Sequence, residues 1–297
     1  MNLLTNSFFI KLLNKLDVQK DSLIAKAVEN SFIIRSFNKN LENVQNKFLL
    51  VTDKSFFIRN IDTFILLIIS FLIISINFVS TGIIGLLTTV AFLCFLLKLF
   101  LKKGEKYTFN SFDLPVFLYF ILAGLSVAYS SFFMPSLKGY AKMIIYLGGY
   151  LTFFNILKDN PRRTLYLMGL LAINVSFEAF LAIKQQIFGI EPLAGWQDIE
   201  NTNPEQLMNR VYGTLQPYNP NLLAGYLIAG FSSVIGTAFV LLNRKHFLAS
   251  AGFLACSLGV LAAIIFTGSR GAYIATFAMM SLFVLISGHF VWNEFKH

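Results

Sequence analysis

Five cations of this chain sit where apolar sequence surrounds them: Lys138, Lys142, Lys184, Arg210 and Arg270. Lys138 and Lys142 are four residues apart, which sets them on one face of a helix. Lys184 precedes Gln185-Gln186, and Arg210 opens Arg210-Val211-Tyr212-Gly213-Thr214. Arg270 follows Ser269 in the turn Thr267-Gly268-Ser269-Arg270-Gly271-Ala272. An arginine presents a planar fork suited to phosphate, and a lysine adds a compact point charge. The chemistry these residues could share is anion binding. Arg270 is the most constrained of them, held between two glycines that suit positive φ or a close backbone approach. It also stands at a helix start, where exposed amides favour an anion. Lys138 and Lys184 equally suit a plainer role, with the ammonium reaching up to a membrane interface.

Around these cations lie further polar groups. Pro217-Tyr218-Asn219-Pro220-Asn221 precedes an apolar run, and either Asn219 or Asn221 could cap the helix, with Pro220 suited to its first turn. One asparagine suffices for a cap, so the second is free for a ligand. Glu178 stands in the middle of another apolar run, where a carboxylate must pair, with a lysine such as Lys142, or be protonated. The pyrophosphate of a lipid-linked sugar and a small anion such as bicarbonate fit the cations equally well. Cys94 and Cys256 lie in separate apolar runs, and His246, His289 and His297 are scattered, so no disulfide framework, metal site or cofactor is expected.

The elements that must position these groups are membrane helices. Of the 297 residues 56% are hydrophobic and 13% charged, and mean hydropathy is +0.66. A soluble domain of this size needs a more polar surface. Runs of about 20 apolar residues are long enough to cross a hydrocarbon core, and only helices or closed barrels can do so with their backbones satisfied. The absence of short alternating segments selects helices. The expected fold is all-α, a polytopic transmembrane bundle of about eight spans near 62–80, 82–101, 114–130, 138–157, 164–187, 219–241, 247–267 and 271–291. Residues 1–60 read as a basic amphipathic arm on the cytoplasmic surface, 61–297 as the bundle, with an external loop at about 188–218.

Charge sets the orientation. With the amino terminus cytoplasmic, the inner connections hold Lys102-Lys103, Arg162-Arg163 and Arg244-Lys245, while the outer loop holds Glu191, Asp198, Glu200 and Glu205 against Arg210. That is the positive-inside pattern, so the net charge of +9 reflects topology and not a nucleic-acid partner. The expected location is the inner, or plasma, membrane. The same orientation brings the five cations to the outer side.

Three segments, Arg210-Val211-Tyr212-Gly213-Thr214, Asn219-Pro220-Asn221-Leu222-Leu223-Ala224-Gly225-Tyr226-Leu227 and Thr267-Gly268-Ser269-Arg270-Gly271-Ala272, resemble the hallmark segments of the O-antigen ligase/polymerase superfamily. The chain is most similar to its IctB branch, which carries a bicarbonate-transporter name in cyanobacteria. Leu137-Lys138-Gly139-Tyr140-Ala141-Lys142 and the stretch from Gln185 to Trp196 extend the likeness. In the ligase branch the resemblance implies transfer of a glycan from a polyprenyl-pyrophosphate donor to a glycan or lipid acceptor at the external face. It implies that Arg210 and Arg270 face the donor pyrophosphate, and Lys138, Lys142, Lys184, Asn219, Asn221 and Ser269 are further candidates for substrate binding. The family's catalytic histidine lies in a later external loop, so a chain ending at His297 reads as carboxy-terminally truncated. The insertion Gln216-Pro217-Tyr218 departs from the family pattern. Inorganic-carbon transport and an inactive membrane protein acting through partners are the alternatives. Alternating access favours polar groups at the membrane midplane; cations gathered outside favour a one-sided site.

Overall fold

The structure is a computed structural model and describes residues 30–52, 55–107, 113–158, 160–189 and 210–295. Ten helices and no strand occur among the described residues. They are α1 (Phe32–Thr52), α2 (Phe56–Arg59), α3 (Ile61–Ser75), α4 (Thr81–Leu101), α5 (Asp113–Ala128), α6 (Phe133–Leu157), α7 (Pro161–Phe188), α8 (Pro220–Asn243), α9 (Phe247–Phe266) and α10 (Arg270–Phe295). Helices α4, α7, α8 and α9 are long and apolar enough to cross a membrane, whereas α3 and α5 are apolar but shorter. Each of the eight stretches expected to span overlaps a helix, α3 to α10, and four of these helices have the length and hydropathy of a span. Helix α5 starts at Asp113, one residue ahead of the expected 114, and α3 stops at Ser75, five residues short of the expected 80. Much of the expected arm, and the outer loop as far as residue 209, lies outside the described residues.

Local signals explain the helix ends. Pro161 and Pro220 occupy first-turn positions of α7 and α8, where the missing N–H is no loss. Lys245, at φ 64°, breaks the chain between α8 and α9.

The described chain forms two compact units. One contains Ile73–Thr81 and the chain from Arg162 onward, and the other the described residues up to Leu72 with Gly82–Pro161. In the second unit, Ile61, Ile65 and Ile69 of α3 recur every four residues and are buried. Near the start of α3, Asp62 pairs with Lys98 at 2.8 Å and Lys102 at 2.7 Å, and Glu105 completes the group. Burial weighs against the Lys102 ammonium, but the hydrogen bonds and charges of Asp62 and Glu105 outweigh it and hold its pKa above the usual lysine range. Helix α1 is fastened to the same end: buried Gln45 donates to the Leu99 and Glu105 carbonyls at 2.8 and 2.9 Å and accepts from the Gly104 amide at 3.1 Å. Buried Asp113 accepts from the hydroxyls of Tyr107 and Tyr150, each at 2.8 Å. Burial, then the Asp113 charge, raises the Tyr107 pKa.

The first unit has a continuous apolar core built largely from α7, α8 and α9. Ala172, Val175, Ala179 and Ala182 of α7 meet Leu223, Ala224, Leu227 and Phe231 of α8 and Val260, Ala263 and Ile264 of α9. The small residues bring helix backbones close, as packing within a bilayer requires. Val211 and Leu215, from a segment that is not helical, belong to the same core.

Candidate functional site

The segment Arg210–Leu215 is not helical and passes through the first unit, with a bend at Thr214. Its burial alternates as in a strand: Val211, Gly213 and Leu215 are buried, while Arg210, Tyr212 and Thr214 are half-buried. Helix α7 supplies what this backbone lacks. The Gln185 carboxamide accepts from the Tyr212 and Gly213 amides at 3.1 and 2.9 Å and donates to the Gly213 carbonyl at 3.1 Å. Two turns deeper, Glu178 accepts from the Thr214 amide at 2.5 Å, from the Thr214 hydroxyl at 2.8 Å, and from the Leu215 amide.

The depth of this segment explains the fully buried carboxylate of Glu178. Glu178 lies ten residues before the end of α7, or about 15 Å along its axis. Non-helical backbone at membrane depth is tolerated only where protein satisfies its polar groups. Glu178 and Gln185 do so, and Asn174 continues their row, donating to the Ile74 carbonyl at 3.3 Å and accepting from the Tyr226 hydroxyl. The expected pairing of Glu178 with a lysine such as Lys142 is therefore corrected. The partners of Glu178 among the described residues are loop donors, and three donors suit a group that only accepts.

Gly213 has φ 64°, and a Cβ there would fall 2.0 Å from Glu178 Oε1. Both the backbone conformation and the close approach exclude any other residue without rearrangement.

The amino-terminal end of the segment is fastened to the α9–α10 turn. The Val211 amide donates to the Phe266 carbonyl at 3.2 Å, and Arg210 Nε donates to the Thr267 carbonyl at 2.7 Å. Both acceptors stand at the carboxy-terminal end of α9, where helical carbonyls lack partners and favour a cation. Gly268 follows at φ 63° as the residue that closes α9. A Cβ on it would lie 3.1 to 3.4 Å from the Arg210 side chain, so the turn forms a seat for that guanidinium. Arg210 Nη2 also donates to Asn221 Oδ1 at 2.9 Å.

The two asparagines thus divide their tasks. Asn219 caps α8, accepting from the Asn221 and Leu222 amides at 2.8 and 3.4 Å. Asn221 holds Arg210.

The expected site residues do not all meet. Arg210, Asn219, Asn221 and the turn carrying Ser269 and Arg270 are linked by the bonds just described. Ser269 is buried and Arg270 exposed, with no hydrogen bond or ion pair for Arg270 among the described residues. Gly271, expected to share the role of Gly268, lies in the first turn of α10 with open space around it. Lys184 is exposed on α7, and its neighbour Gln185 makes the contacts. Lys138 and Lys142 are exposed on α6, in the other unit. Gln185, Gly213, Thr214 and Thr267 were not foreseen as parts of the site. One signal was available: Asn174, Glu178 and Gln185 fall within about 40° of one another around a helix of 3.6 residues per turn.

No protein-family model, no curated protein and no solved structure matches the chain.

Proposed function

We propose that this chain is an O-antigen ligase/polymerase-like protein that engages a polyprenyl-pyrophosphate-linked glycan at the external face of the inner (plasma) membrane. In this reading α3 to α10 make about eight crossings, with the amino terminus cytoplasmic and the Arg210 segment outside. The observation that carries it is the fastening of Arg210 to the turn that presents Arg270. These are the two arginines of the resembled motifs. Arg210 has Nε and Nη2 committed to Thr267 and Asn221, so its charge is fixed in place. Arg270 is exposed at the start of α10, where its fork and the helix amides both favour phosphate oxygens. Their role in transfer would be to neutralise charge on the departing pyrophosphate. The acceptor hydroxyl would need a base, which the resemblance assigns to a histidine in an external loop of the family.

The test titrates the purified chain with a short-chain polyprenyl pyrophosphate. Loss of charge-assisted hydrogen bonds in Arg270→Ala should weaken binding roughly ten- to hundredfold. Arg270→Lys keeps the charge but loses the planar fork, and should recover only part of that loss. Unchanged affinity in a folded Arg270→Ala protein would end this reading. Bicarbonate uptake lost in that same variant would replace it with the transport alternative.

A further inference from the structure

Asn77 stands in the turn between α3 and α4, just after the helix ends at Ser75, and its side chain faces inward, with the residue 2% exposed. Neither its Oδ1 nor its Nδ2 has a hydrogen-bond partner among the described residues. A carboxamide carries two N–H donors and an acceptor oxygen. Buried without partners, both of its ends bear the full cost of lost hydration. A native fold meets such groups with protein or with a bound molecule.

The neighbours of Asn77 place it against α7, and all of them belong to the first unit. Three residues earlier, the Ile74 carbonyl, one of the last four of α3, accepts from Asn174 Nδ2 at 3.3 Å. One residue later, the Phe78 ring packs against Phe177 with centroids 6.0 Å apart. Asn77 is thus bracketed by two contacts to a single turn of α7. Ile76, beside it, and Tyr226 of α8 pack against the same apolar core, and the Tyr226 hydroxyl donates to Asn174 Oδ1. These groups keep unused capacity. Among the described residues the Tyr226 oxygen accepts no hydrogen bond, and Asn174 Nδ2 has a second N–H without an acceptor.

The chemistry of the site selects its occupant. A cation would satisfy Asn77 Oδ1 and be repelled by the amide hydrogens, and an anion would do the reverse. An apolar group would satisfy neither end. Water donates and accepts, and it is retained where a few polar groups converge on it, as Asn77, Asn174 and Tyr226 do here.

We infer that Asn77 holds a buried water, shared with Asn174 and Tyr226, that ties the α3–α4 turn to α7 and α8. The water adds one member to the polar row of Asn174, Glu178 and Gln185. Two non-helical stretches of this unit, residues 76–80 and the Arg210 segment, are then fastened to one face of α7 by polar groups. The site does not depend on the glycan reading.

The experiment uses the full chain in lipid bilayers, isotopically labelled at asparagine and valine nitrogens, and follows the transfer of proton magnetisation from water by solid-state NMR. Asn77→Ser removes one carboxamide signal and so assigns Asn77. In the wild type that carboxamide should receive magnetisation nearly as fast as the one of exposed Asn221, and several times faster than the fully buried Val175 amide. Asn77→Leu removes donor and acceptor at similar volume, and should slow the transfer to Asn174 severalfold while the rest of the spectrum is unchanged. Transfer to Asn77 as slow as to Val175 would overturn the inference, because the carboxamide would then be dry or bonded directly to protein. Undiminished transfer to Asn174 in a folded Asn77→Leu protein would overturn the sharing of the water. If the leucine variant does not fold, the wild-type comparison of Asn77 with Asn221 and Val175 decides.

Discussion

Glu178→Gln should leave this protein nearly as stable as the wild type, while Glu178→Leu should destabilise it severely. Glutamine retains a carbonyl oxygen for the Thr214 amide, and its NH2 group can donate to Thr214 Oγ1, which accepts as readily as it donates. What is lost is the charge assistance of those bonds, about 1 kcal/mol given that charged hydrogen bonds are roughly twice as strong as neutral ones. Leucine has a similar volume but no acceptor, so the Thr214 and Leu215 amides would remain buried and unpaired. At about 1–3 kcal/mol for each orphaned donor, the cost is about 2–6 kcal/mol. Pairing with a buried lysine would give a different pattern, because glutamine would then strand an ammonium and itself cost about 3–5 kcal/mol. Denaturant or thermal unfolding in detergent ranks the variants, and hydrogen exchange at Thr214 and Leu215 localises the effect. Protection there should persist in the glutamine variant and be lost in the leucine variant. A glutamine variant as unstable as leucine would refute the assignment of loop amides as the partners of this carboxylate.

Two further outcomes follow from the same geometry. Gly213→Ala places a Cβ 2.0 Å from Glu178 Oε1 at a backbone φ of 64°, so it should cost at least as much as Glu178→Leu and release the segment to exchange. Unfolding measured alongside the Glu178 series checks this, and an unchanged transition would show that the segment does not pass Glu178. A cysteine replacing Asn201 should react with an impermeant maleimide on intact cells, and one replacing Asn243 should not; the reverse pattern would turn the proposed orientation over.

Much of the architecture was legible in the chain because it follows from short-range physics. Apolar runs of spanning length, Pro220 at a helix start, and the positive φ of Gly268 each depend on a few neighbouring residues. The capping site of α8 was narrowed to Asn219 or Asn221 for the same reason. The placement of the cations was less legible, since snorkelling and binding lysines have the same local sequence. Lys138, Lys142 and Lys184 prove to be exposed, whereas Arg210 is half-buried and bonded to Thr267 and Asn221.

The amino-acid sequence by itself determined an all-helical chain with membrane-length apolar segments, and it marked Arg210, Arg270 and the two asparagines as candidates for one site. Tertiary structure alone decided what those groups touch. Glu178 meets Thr214 across 36 residues, and Arg210 meets Thr267 across 57. No periodicity encodes contacts at such separations. From its apolar setting alone, Glu178 was open to pairing with a lysine or to protonation. The Arg210–Leu215 segment, whose own amides needed acceptors at that depth, supplied hydrogen-bond donors that the sequence had not suggested.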